Sequence, residues 1–138
     1  PDRFMADMRS ALADAGIEPE HIHTELFGAL PPVNPGIVAT STTPPHPPAG
    51  AAGTGPPVSF SRSGLTVNWS SEYASILELA EACDVPTRFS CRSGVCHTCV
   101  TQLIAGTTAY LQPPLEQPAD GSVLICVAEP CEGVVLDL

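Results

Sequence analysis

An α+β fold with a mixed sheet is what residues 58–138 predict, and three features predict it. Two short alternating segments, Val58-Ser59-Phe60-Ser61-Arg62 and Leu65-Thr66-Val67-Asn68-Trp69, flank Ser63-Gly64 and read as a hairpin. One capped helix follows from Ser75. Beyond a cysteine-rich loop the chain returns to strand-like runs at 100–104, 123–128 and 134–138. Two strands, a helix, a loop and further strands make the mixed arrangement.

Taken in order, the chain opens with a helix. Over residues 2–15, Phe4, Met8, Ala11, Leu12 and Ala15 fall on one stripe, with Asp2 near the start and Gly16 after the end. Ile22-His23-Thr24-Glu25-Leu26-Phe27 then alternates as a short strand. His21 and His23 share one of its faces; with no further ligand beside them, they read as a solvated or buried pair rather than a metal site. Across residues 31–57 Pro, Gly, Ala, Ser and Thr take over, around Pro44-Pro45-His46-Pro47-Pro48, and no apolar periodicity survives. This segment is expected to lack regular secondary structure and to move independently of 58–138. It would be stiff at the prolines, loose over 50–55, and would keep one domain within reach of another. A Pro-rich partner motif is the rival reading.

In the hairpin both arms alternate and Ser63-Gly64 serves as a two-residue turn. Ser75 caps the next helix, and Glu78 three residues on completes a capping box. Ile76, Leu79, Ala80 and Cys83 form its buried stripe, which makes Cys83 a small core residue. Pro86 closes the helical region. Residues 100–104 form a strand, Gly106 breaks it, and 107–111 extend it briefly. Residues 112–121 are a loop with three prolines. The most apolar run, 123–128, is expected to be one strand that carries Cys126 into the core, and 134–138 supplies the last strand.

The chemistry lies in Cys91-Arg92-Ser93-Gly94-Val95-Cys96-His97-Thr98-Cys99, with Cys126 as a distant fourth member. Four residues separate Cys91 from Cys96 and two separate Cys96 from Cys99, so one tight loop supplies three thiolates. A C-x4-C-x2-C…C pattern holds a [2Fe–2S] cluster by four cysteines. Soft thiolates suit iron and sulfide, and loop amides can hydrogen-bond the sulfurs and stabilise the negative charge. Gly94 supplies a position free of Cβ. Arg92 beside the site is expected to favour the reduced cluster by charge compensation, with simple solvation as its other role. Cys131 is a leftover thiol with no role assigned. A zinc site is the chemical alternative, because Cys96-His97-Thr98-Cys99 contains C-x2-C, but Cys126 has no close partner except Cys131 and the x4 spacing goes unused. A Rieske centre, which needs histidine ligands from two motifs, fails because His97 directly follows Cys96 rather than standing two away and no second motif exists. No Ser/His/Asp or Cys/His catalytic arrangement and no phosphate-binding Gly loop stands out.

The formal charge is −10, from fifteen Asp and Glu against five basic residues, all arginine. A basic face for nucleic acid is therefore not expected. The acidity fits an electron carrier steered to a basic partner, or plain solubility. Six cysteines open no disulfide framework here, since no signal-like apolar segment begins the chain and no apolar run is long enough for a membrane. A cytoplasmic, reducing setting is expected. The chain opens with Pro, which suggests a fragment or a processed product.

Residues 58–138 resemble a plant-type [2Fe–2S] ferredoxin domain, through Ser90-Cys91-Arg92-Ser93-Gly94-Val95-Cys96 and Leu124-Ile125-Cys126. Residues 1–27 resemble the last helix and strand of the nicotinamide-binding half of a ferredoxin-reductase-type flavoprotein. Together they resemble the tail of a phthalate-dioxygenase-reductase-like enzyme. The resemblance implies a reductase remnant over 1–30, a linker over 31–57 and a β-grasp ferredoxin domain over 58–138. It implies that Cys91 and Cys96 bind the outer iron of a [2Fe–2S] cluster and Cys99 and Cys126 the inner one. It implies a potential near the plant-type value of about −400 mV. Glu25 and Phe27 occupy the places of a Glu and an aromatic residue that lie beside the flavin. The implied function is one-electron transfer from a flavin (FAD or FMN) fed by NAD(P)H in the same parent polypeptide to an acceptor such as an oxygenase. The parent would then be an NAD(P)H-dependent oxidoreductase, and neither nucleic acid nor membrane would be a partner. A stand-alone interaction module with a structural iron–sulfur or zinc site is the alternative.

Overall fold

The computed structural model describes residues 2–17, 37–38 and 43–138. Helix α1 (Asp2–Asp14) ends where Gly16 N–H and Ile17 N–H turn back to the Ala13 and Leu12 carbonyls. Its stripe is little covered: Met8, Ala11 and Ala15 are exposed and Leu12 is half-buried. The strand expected over 22–27, with His21, His23, Glu25 and Phe27, lies outside the described residues.

The described part of 31–57 departs from the expected free tether. Strand β1 (Ile37–Val38) pairs antiparallel with β4 (Arg88–Phe89). His46 N–H donates to the Cys83 carbonyl at 2.9 Å and Gly55 N–H to the Trp69 carbonyl at 2.9 Å, while Trp69 N–H donates to Pro56. A Cβ on Gly53 would lie 2.2 Å from the Trp69 carbonyl oxygen, so only glycine permits this approach. Prolines donate nothing, and the N–H groups of His46 and Gly55 between them find acceptors on the domain. Docking of this kind needs no apolar periodicity.

Strand β2 (Pro57–Phe60) and strand β3 (Leu65–Asn68) form the expected hairpin, with Val58, Phe60 and Val67 buried. The turn is longer than Ser63-Gly64, because pairing stops at Phe60↔Leu65. Residues 61–63 instead bond to the end of the chain: Ser61 N–H reaches the Leu136 carbonyl and Ser63 N–H that of Leu138. Arg62 Nε donates to Asp137 Oδ1 at 2.7 Å. Helix α2 (Ile76–Ala82) starts at Ser75, whose hydroxyl accepts from Glu78 N–H at 3.3 Å, and Glu78 Oε2 accepts from Ala74 N–H at 2.7 Å. The reciprocal cap thus closes one residue earlier than the simple box. Ile76, Leu77, Leu79, Ala80 and Cys83 are buried.

Strand β5 (Val100–Ala105) is followed by β6 (Thr108–Tyr110), β7 (Ser122–Leu124), β8 (Ala128–Pro130) and β9 (Val134–Leu136). The main sheet runs β3-β2-β9-β5-β7. Its central pair, β2 and β9, is parallel and every other neighbour is antiparallel. Joining the first and last strands of the domain side by side, with α2 across the sheet, gives the β-grasp form of an α+β fold. Phe60, Ile76, Leu79, Leu124, Ile125 and Leu136 fill the core. The run 123–128 is not one strand: β7 stops at Leu124, Val127 N–H turns back to the Leu124 carbonyl, and β8 leaves to pair with β6. Leaving the sheet at that point frees Cys126 from pairing and presents it at a turn. Among the described residues, no helix is long and apolar enough to cross a membrane.

Candidate metal centre

The loop after β4 is wound by its backbone. Arg92 (φ 55°), Gly94 (φ 72°) and His97 (φ 56°) are left-handed, and such turns aim successive N–H groups into one concavity. Non-glycine residues held this way cost of order 1–3 kcal/mol and cluster at functional sites. A Cβ on Gly94 would lie 3.1 Å from Val127 Cγ2 and 3.3 Å from Pro114 Cα, so glycine is needed for both reasons.

Ser93 N–H and Cys96 N–H donate to Cys91 Sγ at 3.5 and 3.4 Å, and Cys91 N–H donates to Cys96 Sγ at 3.5 Å. Burial pushes the Cys91 thiol up, but the donors from Ser93, Cys96 and Val95 outweigh it and bring it down to about 6. The Cys96 thiol donates to Thr98 Oγ1 at 3.2 Å, a hydroxyl that can turn and donate once the sulfur is ionised. His97 reaches the Glu116 carbonyl through Nε2 at 3.1 Å, which leaves its ring turned to the loop rather than to the sulfurs.

Cys99 and Cys126, both buried, form the second sulfur pair. The Cys99 thiol donates to Cys126, which raises Cys99 and lowers Cys126; Gly94 N–H also favours the Cys126 thiolate. Cross-influences between Cys126 and Cys91, and between Cys99 and Cys96, show the two pairs to be neighbours. The structure therefore brings together the four cysteines singled out by sequence. Among the described residues, no three His, Cys, Asp or Glu side chains are disposed around a single ion. Two thiol pairs under inward-facing amides supply the soft donor set that a [2Fe–2S] cluster uses.

Cys83 is fully buried in the core, where burial pushes its thiol up to about 11, and Cys131 is exposed after β8. Arg92 departs from expectation. Its guanidinium forks onto Glu81 of α2 and lies 4.2 Å above the Phe89 ring, so its charge is already matched. Sequence reasoning missed Glu81, whose signal was only a carboxylate on the outer face of the helix. A recess of about 260 Å³ lined by Leu77, Glu78, Arg92, Leu111 and Gln112 opens onto Cys126.

The family model described as the 2Fe-2S iron-sulfur cluster binding domain matches residues 59–131, more than half of the chain. A curated NADPH oxidoreductase of Mycobacterium tuberculosis is 34% identical over 91 residues, covering 66% of this chain and 23% of that protein. The vegetative ferredoxin of Trichormus variabilis is 36% identical over 62 residues, covering 43% of this chain and 63% of its own length. Among solved structures, phthalate dioxygenase reductase superposes with a TM-score of 0.53 at 31% identity, covering 63% of this chain and 27% of that one. That reductase is a modular structure for electron transfer from pyridine nucleotides to [2Fe-2S]. The chain spans less than two thirds of the length of each of these relatives.

Proposed function

The chain belongs to the 2Fe-2S iron-sulfur cluster binding family, and from that premise we propose that Cys91, Cys96, Cys99 and Cys126 are the four ligands of its [2Fe–2S] cluster. The observation that carries this is the pairing of the four sulfurs beneath the amides of Ser93, Gly94 and Cys96. When bound, the cluster takes up and releases one electron. The protein's part is to hold four thiolates, to donate N–H groups to them and to exclude water from the inner pair.

Electrons would enter from a reduced flavin fed by NAD(P)H in the same parent polypeptide and leave to an acceptor protein such as an oxygenase. Likeness to an NADPH oxidoreductase and to a phthalate dioxygenase reductase supports this direction. In this reading residues 58–138 are the electron-transfer domain, 31–57 connect it, and 1–30 end a reductase domain. We place the chain in a reducing, cytoplasmic setting, a reading that the need for free thiolates supports. The test is iron and labile-sulfide analysis with anaerobic visible spectra. Two irons and two sulfides per chain, with bleaching on one-electron reduction, are expected. Stoichiometric zinc without sulfide would refute the reading.

A further inference from the structure

We propose that Glu81 is a positioning residue for electron transfer: it sets the cluster's reduction potential by holding the Arg92 guanidinium on Phe89 and neutralising it there. The inference rests on the ligand assignment above. Arg92 follows Cys91 directly and lines the recess that opens onto Cys126, so its side chain has two places to go. Free in that recess, a cation would stabilise the extra negative charge of the reduced cluster. It is instead tied back at the wall of the recess, with Nη1 and Nη2 donating to Glu81 Oε2 and Oε1 at 2.9 and 2.5 Å and Cζ 4.2 Å above Phe89. A matched pair of opposite charges acts on the sulfurs as a dipole, whose field falls faster than that of a lone cation.

Glu78 also faces Arg92 from the same helix, but one of its oxygens accepts from the Ala74 N–H, and the hydrogen bonds of the guanidinium go to Glu81. Glu81 therefore decides where the guanidinium rests. The restraint is registered to the site as well, because Leu77 N–H in α2 donates to the Ile125 carbonyl at 2.9 Å, next to Cys126. A movement of α2 would change the distance from Arg92 to the thiolates.

The experiment is spectroelectrochemical titration of the cluster-loaded full chain in a double-mutant cycle of Glu81→Gln and Arg92→Gln. Glu81→Gln is expected to raise the potential, and to raise it more when Arg92 is present than in the Arg92→Gln background. Arg92→Gln alone should lower it, since Glu81 is then left unmatched. Equal shifts in both backgrounds would reduce Glu81 to a fixed charge and overturn the positioning role, as would no shift at all. Phe89→Leu, which removes the platform, should move the potential in the same direction as Glu81→Gln; an unchanged value would count against the proposal. A wild-type chain that assembles no cluster would overturn the ligand reading together with this one, whereas a loaded cluster with an indifferent potential overturns this one alone.

Discussion

Cys126 and Cys131 stand five residues apart, yet the fold gives them opposite surroundings: one buried beside Cys99, one exposed beyond β8. Replacing Cys126 with Ala should abolish or destabilise cluster assembly, while Cys131→Ser should leave iron, sulfide and the visible spectrum unchanged. The reverse pattern would make Cys131 the fourth ligand. Cys83→Ala should keep the spectrum and cost about 1 kcal/mol in denaturant unfolding, as for trimming a small core group. Gly94→Ala should be worse than its size suggests, because the new Cβ meets Val127 and Pro114 and the left-handed backbone alone costs about 1–2 kcal/mol. Cluster content after reconstitution measures that effect. All four sulfurs were legible, three from spacing within one loop, which is local information, and Cys126 as the distant fourth member of the C-x4-C-x2-C…C pattern. Glu81 was not, because its meaning depends on Arg92 folding back eleven residues to meet it.

At the level of elements, the sequence showed where strands and the capped helix lie better than how they end. The hairpin turn lengthened because Arg62 is drawn to Asp137, 75 residues away, and the strand over 123–128 broke because β8 has its own partner in β6. Such competitions are long-range and leave no local pattern. The described part of the Pro-rich segment docks through contacts of the same long-range kind. His46 anchors it to the end of α2: Nδ1 meets the Pro47 carbonyl at 2.7 Å and Nε2 meets Asp84 Oδ2 at 2.9 Å. With an acceptor on each nitrogen, the protonated ring is the form that satisfies both. The Pro47 carbonyl first, and then Asp84, hold the His46 pKa above 6.5. A raised folded pKa means that this contribution is fully present below 6.5 and is lost as pH rises through the folded value. The His46 amide, bonded to Cys83, should therefore exchange faster relative to its intrinsic rate above that pH. Asp84→Asn should move the His46 titration downward in NMR. Protection that is flat across the window would remove His46 from the anchor.

Across the whole molecule, charge is lopsided in a way no single site displays. Fifteen acidic residues face five arginines, and two of those arginines, Arg62 and Arg92, are already forked onto carboxylates. The field felt by an approaching protein is therefore negative, and the long-range part of it survives pairing at individual sites. Opposite charge on a partner should raise the encounter rate by about 10–10³-fold at low ionic strength. Screening sets the scale, with a Debye length of about 10 Å at 0.1 M salt. A basic cytochrome c offered as acceptor to the reduced, cluster-loaded chain should be reduced more slowly as salt rises, with the loss concentrated below about 0.1 M. An acidic acceptor of similar potential should show the opposite trend, because screening then relieves repulsion. The reduction potential itself should change far less than either rate, since nearby pairs such as Arg92 and Glu81 are screened less than distant charges. Rates that ignore salt with both acceptors would mean that the acidity serves solubility rather than steering.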